Sequence, residues 1–235
     1  METLIYTYKK LNHKIYPKET NQKEWIIKSI QSARNLNYNV ELYTNDKTFS
    51  EGLDLDKVHF IDDDYQIWDS FKIWVLENRT DDYLLCDSDV IFTNKIHFEK
   101  DKDIYFDGIE TQNWDWVYQP TLNYLESNSI FLSIPFWSYK KQPVYNVGIL
   151  KINNQILKEQ YIQYWKTLYT EIEPYLDLLD KSFTTPILTQ YLLTLIVNKD
   201  KYSYQYFTKD GGWPYNNKYY NHFPGFLKFK NSNII

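Results

Sequence analysis

The stretch Asp81–Phe92, reading DDYLLCDSDVIF, constrains the fold more than any other part of the chain. Tyr83 to Cys86 form an apolar run too short for a helix and typical of a strand buried on both faces. Asp87 and Asp89 follow it, with only Ser88 between them. Open α/β sheets bind ligands outside the carboxyl ends of their strands. Two carboxylates that close repel one another unless a cation joins them, and carboxylate oxygens suit Mg²⁺ or Mn²⁺. The expectation is a divalent-metal site at a strand end. The competing reading is a solvated turn, because a D-x-D triplet is short and common.

The segments before this strand predict a β-α-β start and hence a mainly parallel sheet. Thr3 to Tyr8 reads as a first strand, Lys9 to Lys23 as a loop containing Pro17, and Glu24 to about Asn37 as a helix with Ile26, Ile30 and Ala33 at helical spacing. Val40 to Thr44 and Val58 to Ile61 are further strands. Asp62, Asp63 and Asp64 are placed to cap a helix from Tyr65 to Leu76, which carries Lys72; metal binding is the alternative role for the three acids. Beyond the D-x-D strand, Ile104 to Phe106 is a short strand. Gln112 to Trp137 is rich in Trp and Tyr without periodicity, which suggests a loop or small subdomain over a cleft, or else a satellite hydrophobic cluster. Val147 to Ile152 reads as a strand in which Gly148 marks a close approach by a ligand or another backbone. Gln155 to Leu168 is a helix capped by Asn153 or Asn154. Thr184-Thr185-Pro186 opens another, apolar all round except for Gln190. Tyr202 to Phe207 is a late strand, Gly211 to Pro214 a turn, and the sequence NHFPGFLK, Asn221 to Lys228, contains a histidine, a glycine and a lysine whose spacing suits a metal and phosphate site.

Composition narrows the class. At 235 residues and 43% hydrophobic, the chain suits one large α/β domain and not a disordered segment. A net charge of −5 without a basic tract argues against nucleic-acid binding. Cys86 is the only cysteine, so no internal disulfide forms. With neither a signal-like N-terminus nor a membrane-length apolar run, the expectation is a soluble cytoplasmic protein.

Strand-Asp-Ser-Asp, Asn146-Val147-Gly148, and His222-Phe223-Pro224-Gly225-Phe226-Leu227-Lys228 occur in that order. In this the chain resembles the GT-A-fold glycosyltransferases that carry a D-x-D motif, most closely the glycogenin-like group, over nearly its whole length. The resemblance implies a single GT-A-like (Rossmann-like) α/β domain over residues 1–235, its mainly parallel central sheet flanked by helices, with an aromatic-rich insertion at about 110–140. It implies a hexosyltransferase-like enzyme that moves sugar from a nucleotide diphosphate donor, UDP-linked, to a glycan, protein or lipid acceptor, with retention. Asp87, Asp89 and His222 would hold Mn²⁺ or Mg²⁺, and Asp87, Asp89 and Gln190 would form the catalytic set. Tyr6, Thr7 and Tyr8 would line base and ribose. Lys72 and Ser88 would be among the cofactor-binding residues, Gly225 and Lys228 would attend the diphosphate, and Asn146 and Gly148 the donor sugar. One departure stands out: the family pattern has an acid before the glutamine, and here Thr189 precedes Gln190. An inverting enzyme would need a base, for which Asp107, Glu110 and Asp115 are available. Two other readings stay open. One is a haloacid-dehalogenase-type phosphatase, whose D-x-D supplies nucleophile and acid but lies near the start of its domain. The other is a nucleotide- or carbohydrate-binding module without activity.

Overall fold

The chain alternates strand and helix from its first residues. In chain order the elements are β1 (Thr3–Tyr8), α1 (Glu19–Asn35), β2 (Asn39–Thr44), α2 (Lys47–Ser50), β3 (Lys57–Phe60), α3 (Ser70–Asn78), β4 (Tyr83–Cys86), β5 (Val90–Phe92), β6 (Ile104–Glu110), α4 (Gln119–Ser127), β7 (Val144–Ile152), α5 (Gln155–Ile172), α6 (Lys181–Pro186), α7 (Leu192–Asp200), β8 (Tyr204–Thr208), β9 (Tyr215–Asn216) and β10 (Tyr220–His222). The structure, a computed structural model, describes residues 2–11, 19–112, 114–130, 132–208 and 215–223. Seven strands form one sheet in the order β3-β2-β1-β4-β7-β6-β8. The β1–β2, β1–β4, β2–β3 and β6–β8 pairs are parallel, and β7 runs antiparallel to β4. The α/β class, with a mainly parallel central sheet flanked by helices, is as the β-α-β start predicts.

The chain packs as two compact units. The first comprises Met1–Glu99, Gly148–Lys151 and Gly212–Ile235. Its centre is β1 and β4, whose apolar runs Leu4-Ile5-Tyr6 and Tyr83 to Cys86 are buried throughout, as strands covered on both faces must be. Trp25, Ile26, Ile30 and Ala33 bury one stripe of α1. That helix ends where Asn37 takes a left-handed backbone (φ 57°), a conformation that asparagine tolerates. A second, three-stranded sheet in the order β5-β10-β9 also belongs to this unit.

The second unit comprises Lys100–Val147 and Ile152–Gly211. Trp114, Val117, Tyr118, Leu122, Val144, Ile187, Tyr191 and Leu195 form a core cluster in it, with Phe136, Trp137 and Tyr139 packed against it. Leu157, Tyr161, Trp165 and Leu168 bury the expected stripe of α5. Asn154 caps that helix, its Oδ1 accepting from the Leu157 N–H at 3.1 Å.

Several boundaries differ from the sequence reading, each for a physical reason. α1 starts at Glu19, inside the segment read as a loop. α3 starts at Ser70, not Tyr65. Of the three acids before it, Asp63 is otherwise engaged: it takes the Lys9 ammonium and accepts from the Ser70 hydroxyl at 2.9 Å. The aromatic stretch is not a loop. It contains a π-helical turn, Trp114–Tyr118, that leads into α4, and its rings build the core of the second unit. Thr184-Thr185-Pro186 does not open a helix. α6 already runs from Lys181, and a π turn, Ile187–Tyr191, continues it into α7. Pro186 lacks the N–H for an interior helical bond, so the hydrogen-bond ladder loses a rung there. Among the described residues no helix is long and apolar enough to cross a membrane.

Candidate metal centre

Asp87 and Asp89 lie where β4 ends and before β5 begins. The turn between them is pinned from both sides. The Asp87 N–H donates to the Gly148 carbonyl at 2.7 Å, and the Val90 N–H to the Asp87 carbonyl at 3.3 Å. Serines of α1 fix β5: Ser29 donates to the Val90 carbonyl, and Ser32 Oγ accepts from the Phe92 N–H at 2.9 Å.

His222 reaches this turn through β10. β10 pairs antiparallel with β5 so that His222 stands opposite Val90, and the Phe223 N–H donates to the Asp89 carbonyl at 3.1 Å. His222 and Asp89 are both buried, with His222 Nε2 at 3.3 Å from Asp89 Oδ1. One ligand atom from each of Asp87, Asp89 and His222 can be chosen such that all three lie within 4.8 Å of one another. Two carboxylates and an imidazole are a donor set that suits Mn²⁺ at least as well as Mg²⁺. The three side chains therefore fit a divalent cation.

Gly148 makes room for the imidazole. A Cβ built on it would lie 2.2 Å from His222 Cε1, 2.7 Å from Nδ1 and 2.9 Å from Nε2. The close approach that a glycine in a strand announces is here made by a histidine side chain.

Lys72 sits on α3, buried, with its ammonium 2.6 Å from Asp87 Oδ1 and 3.3 Å from Asp69 Oδ1. Burial alone would lower its pKa. The Asp69 and Asp87 charges outweigh that and raise it, so the side chain stays a cation at any ordinary pH. Burial, and after it the Asp87 charge, pushes the Cys86 thiol well up, which leaves it a packing group and not a nucleophile.

The remaining sequence candidates fall in different places. Tyr6 is fully buried, its hydroxyl 2.8 Å from Ser29 Oγ. Tyr8 stacks on Phe49 with rings 4° from parallel. Thr7 and Ser88 are half-buried. Gly225 and Lys228 lie outside the described residues.

In the second unit Asn146 donates from Nδ2 to Glu110 Oε1 at 2.7 Å, and Gln190 lies 2.6 Å from the Tyr118 hydroxyl. Thr189 is buried. Its hydroxyl donates to the Thr185 carbonyl at 2.9 Å, and its own carbonyl accepts from Tyr161 at 3.1 Å. Asp107 is buried and accepts from the Thr208 hydroxyl at 3.2 Å, whereas Asp115 is exposed and paired with Lys141 at 2.9 Å. The Tyr118 hydroxyl donates to Glu110 Oε2 at 2.6 Å, a pairing that sequence spacing alone does not single out, because its partners come from a strand and a π turn without a shared period.

No protein-family model and no curated protein sequence matches the chain. Solved structures do. Mouse xyloside xylosyltransferase 1 in its apo form is 12% identical, with 88% of this chain and 85% of that chain covered at a TM-score of 0.44. The apo form of the glycosyltransferase GlyE of Streptococcus pneumoniae TIGR4 is 17% identical, covering 87% of this chain and 44% of that one at a TM-score of 0.42. A second GlyE structure is 15% identical at the same TM-score, with 87% and 46% covered. The chain thus spans less than half the length of GlyE.

Proposed function

We propose that the chain is a divalent-metal-dependent glycosyltransferase, akin to the glycogenin-like group, that uses a UDP-linked sugar and retains its anomeric configuration. The observation that carries this reading is the convergence of His222, distant in sequence, on Asp87 and Asp89 around one small space. Asp87, Asp89 and His222 would hold the cation, Mn²⁺ by preference, which when bound neutralises the leaving diphosphate without moving a proton. Lys72 adds a permanent positive charge beside Asp87 and holds that carboxylate in place. Gly148 and the β5–β10 pairing hold the imidazole against the carboxylates. Retention asks for no protein base on the acceptor side. The domain would extend over residues 1–235, with Gly225 and Lys228 as further diphosphate contacts.

The test is turnover of a panel of nucleotide sugars with and without Mn²⁺, in the unmodified chain and in Asp89→Ala. The reading expects Mn²⁺-dependent release of UDP from at least one donor, and its loss in the variant with the melting temperature preserved. Release of phosphate from simple phosphomonoesters, without nucleotide-sugar turnover, would instead support a phosphatase.

A further inference from the structure

The turn that carries the two carboxylates is held by side chains outside the ligand set. It runs from Asp87 to Val90 and is closed by the Val90 N–H on the Asp87 carbonyl at 3.3 Å. Each end carbonyl also takes a side chain. The Cys86 thiol donates to the Asp87 carbonyl at 3.3 Å, and the Ser29 hydroxyl, from α1, donates to the Val90 carbonyl. The phenol of Tyr6, on β1, joins these two. Its hydroxyl is 2.8 Å from Ser29 Oγ and also hydrogen-bonds the Cys86 thiol. Tyr6, Ser29 and Cys86 are at most 1% exposed, so bulk water does not replace a lost partner.

The bonds run in one direction. A carbonyl only accepts, so the Ser29 hydrogen is committed to Val90 and the Cys86 hydrogen to Asp87. The phenol has one hydrogen, and a hydroxyl oxygen is a better acceptor than a thiol sulfur. Tyr6 therefore donates to Ser29, and Ser29 to the Val90 carbonyl. This fixes the Ser29 rotor, and with it the backbone one residue beyond Asp89. Asp89 depends on that backbone, because its carboxylate must meet the imidazole, 3.3 Å away, and the Asp87 carboxylate in one place. Groups that orient metal ligands govern how tightly the metal is held.

We propose that Tyr6 is a positioning residue for the metal centre: through Ser29, its phenol sets the Asp87–Val90 turn and so the aim of the Asp89 carboxylate. This rests on the metal centre of the transferase reading and needs no contact between Tyr6 and a nucleotide.

The experiment is titration of the full chain with Mn²⁺ alone, read by calorimetry and by the spin-resonance spectrum of the bound ion. The proteins are the unmodified chain, Tyr6→Phe, Ser29→Ala, their double variant and Tyr38→Phe, with melting temperatures recorded alongside. Tyr38→Phe is the matched control: Tyr38 is 2% exposed, and its hydroxyl accepts from the Ile96 N–H at 3.0 Å, beyond β5. Ser29→Ala should weaken Mn²⁺ by about tenfold or more, as loss of a supporting group does at other metal sites. Tyr6→Phe should weaken it by about threefold or more, the equivalent of one neutral hydrogen bond, and change the spectrum of the bound ion. Tyr38→Phe should lower the melting temperature without either effect. Because Tyr6 acts through Ser29, the double variant should bind Mn²⁺ no more weakly than Ser29→Ala. If Ser29→Ala does not fold, the contrast between Tyr6→Phe and Tyr38→Phe carries the test. Unchanged Mn²⁺ affinity in Tyr6→Phe, an equal loss in Tyr38→Phe or additive losses in the double variant would overturn the assignment and leave the metal centre standing. An unmodified chain that binds no Mn²⁺ overturns the metal centre, and this inference with it.

Discussion

Gly148→Ala is the sharpest probe of how the site is built. The added methyl would sit 2.2 Å from His222 Cε1. Carbon atoms pack at roughly 3.5–4.0 Å, so the separation falls short by about 1.3 Å. Neither side yields easily. The Gly148 carbonyl holds the Asp87 N–H, and β10 is tied to β5 on either side of the imidazole. Overpacking of this kind costs about 1–3 kcal/mol. For a chain of this size that lowers the melting temperature by about 2–12 °C. Displacing the imidazole should also weaken Mn²⁺ by tenfold or more, on the order of what the loss of a supporting group costs other metal sites. The assay is thermal unfolding with and without Mn²⁺, repeated in a His222→Ala background. Removing the imidazole removes the clash, so Gly148→Ala should be milder there, with a coupling of about 0.5–3 kcal/mol between the two positions. Strict additivity would refute the packing argument, and so would an undiminished Mn²⁺-induced shift in Gly148→Ala.

Further outcomes follow from other contacts. Lys72→Met leaves the Asp69 and Asp87 carboxylates without their buried cation, and should cost about 3–5 kcal/mol in denaturant titrations. Because Mn²⁺ can replace the lost charge beside Asp87, its stabilising effect should be larger in this variant than in the unmodified chain. The Asp103 carboxyl is held below the usual carboxylate range by hydrogen bonds from Asn154 and from the Ser203 hydroxyl and N–H. A depressed folded-state pKa gives stability that is present above the unfolded value, about 4, and is lost as pH falls through the lower folded one. Asp103→Ala should therefore melt lower than the parent at pH 6, with the gap closing below pH 4. Trp114→Ala, at 2% exposure in the second unit's core, should cost about 3–5 kcal/mol. Its neighbour Trp116 is 40% exposed, and the same change there should stay within about 0.5 kcal/mol.

The parts of this fold that could be read from the sequence are the local ones. The Tyr83–Cys86 strand followed by two carboxylates was legible because apolar run length and strand-end position are properties of adjacent residues. A helix cap at Asn153 or Asn154 was legible for the same reason, and the structure takes Asn154. Gly148 showed that something approaches closely but not what, because His222 arrives through pairing between β5 and β10, a contact with no local signature. Asp62–Asp64 looked like helix caps until the end of β1 brought Lys9 to Asp63. The aromatic stretch showed no period because a π turn carries an extra residue and breaks the 3.6-residue spacing on which helix recognition relies. Pro186 imitated a first-turn proline, yet the helical path continues on both sides of it. The contacts that join Glu110, Tyr118 and Gln190 are legible only from side-chain positions.

The account stands or falls on whether Asp87, Asp89 and His222 hold one cation together. The most direct measurement is the pulsed electron-spin-echo spectrum of Mn²⁺ bound to the full chain, in which a coordinated imidazole nitrogen leaves its own modulation. The account predicts that modulation in the unmodified protein and its disappearance in His222→Gln, with residual Mn²⁺ bound more weakly by the two carboxylates. Bound Mn²⁺ without nitrogen coupling, or coupling that survives in His222→Gln, would contradict it.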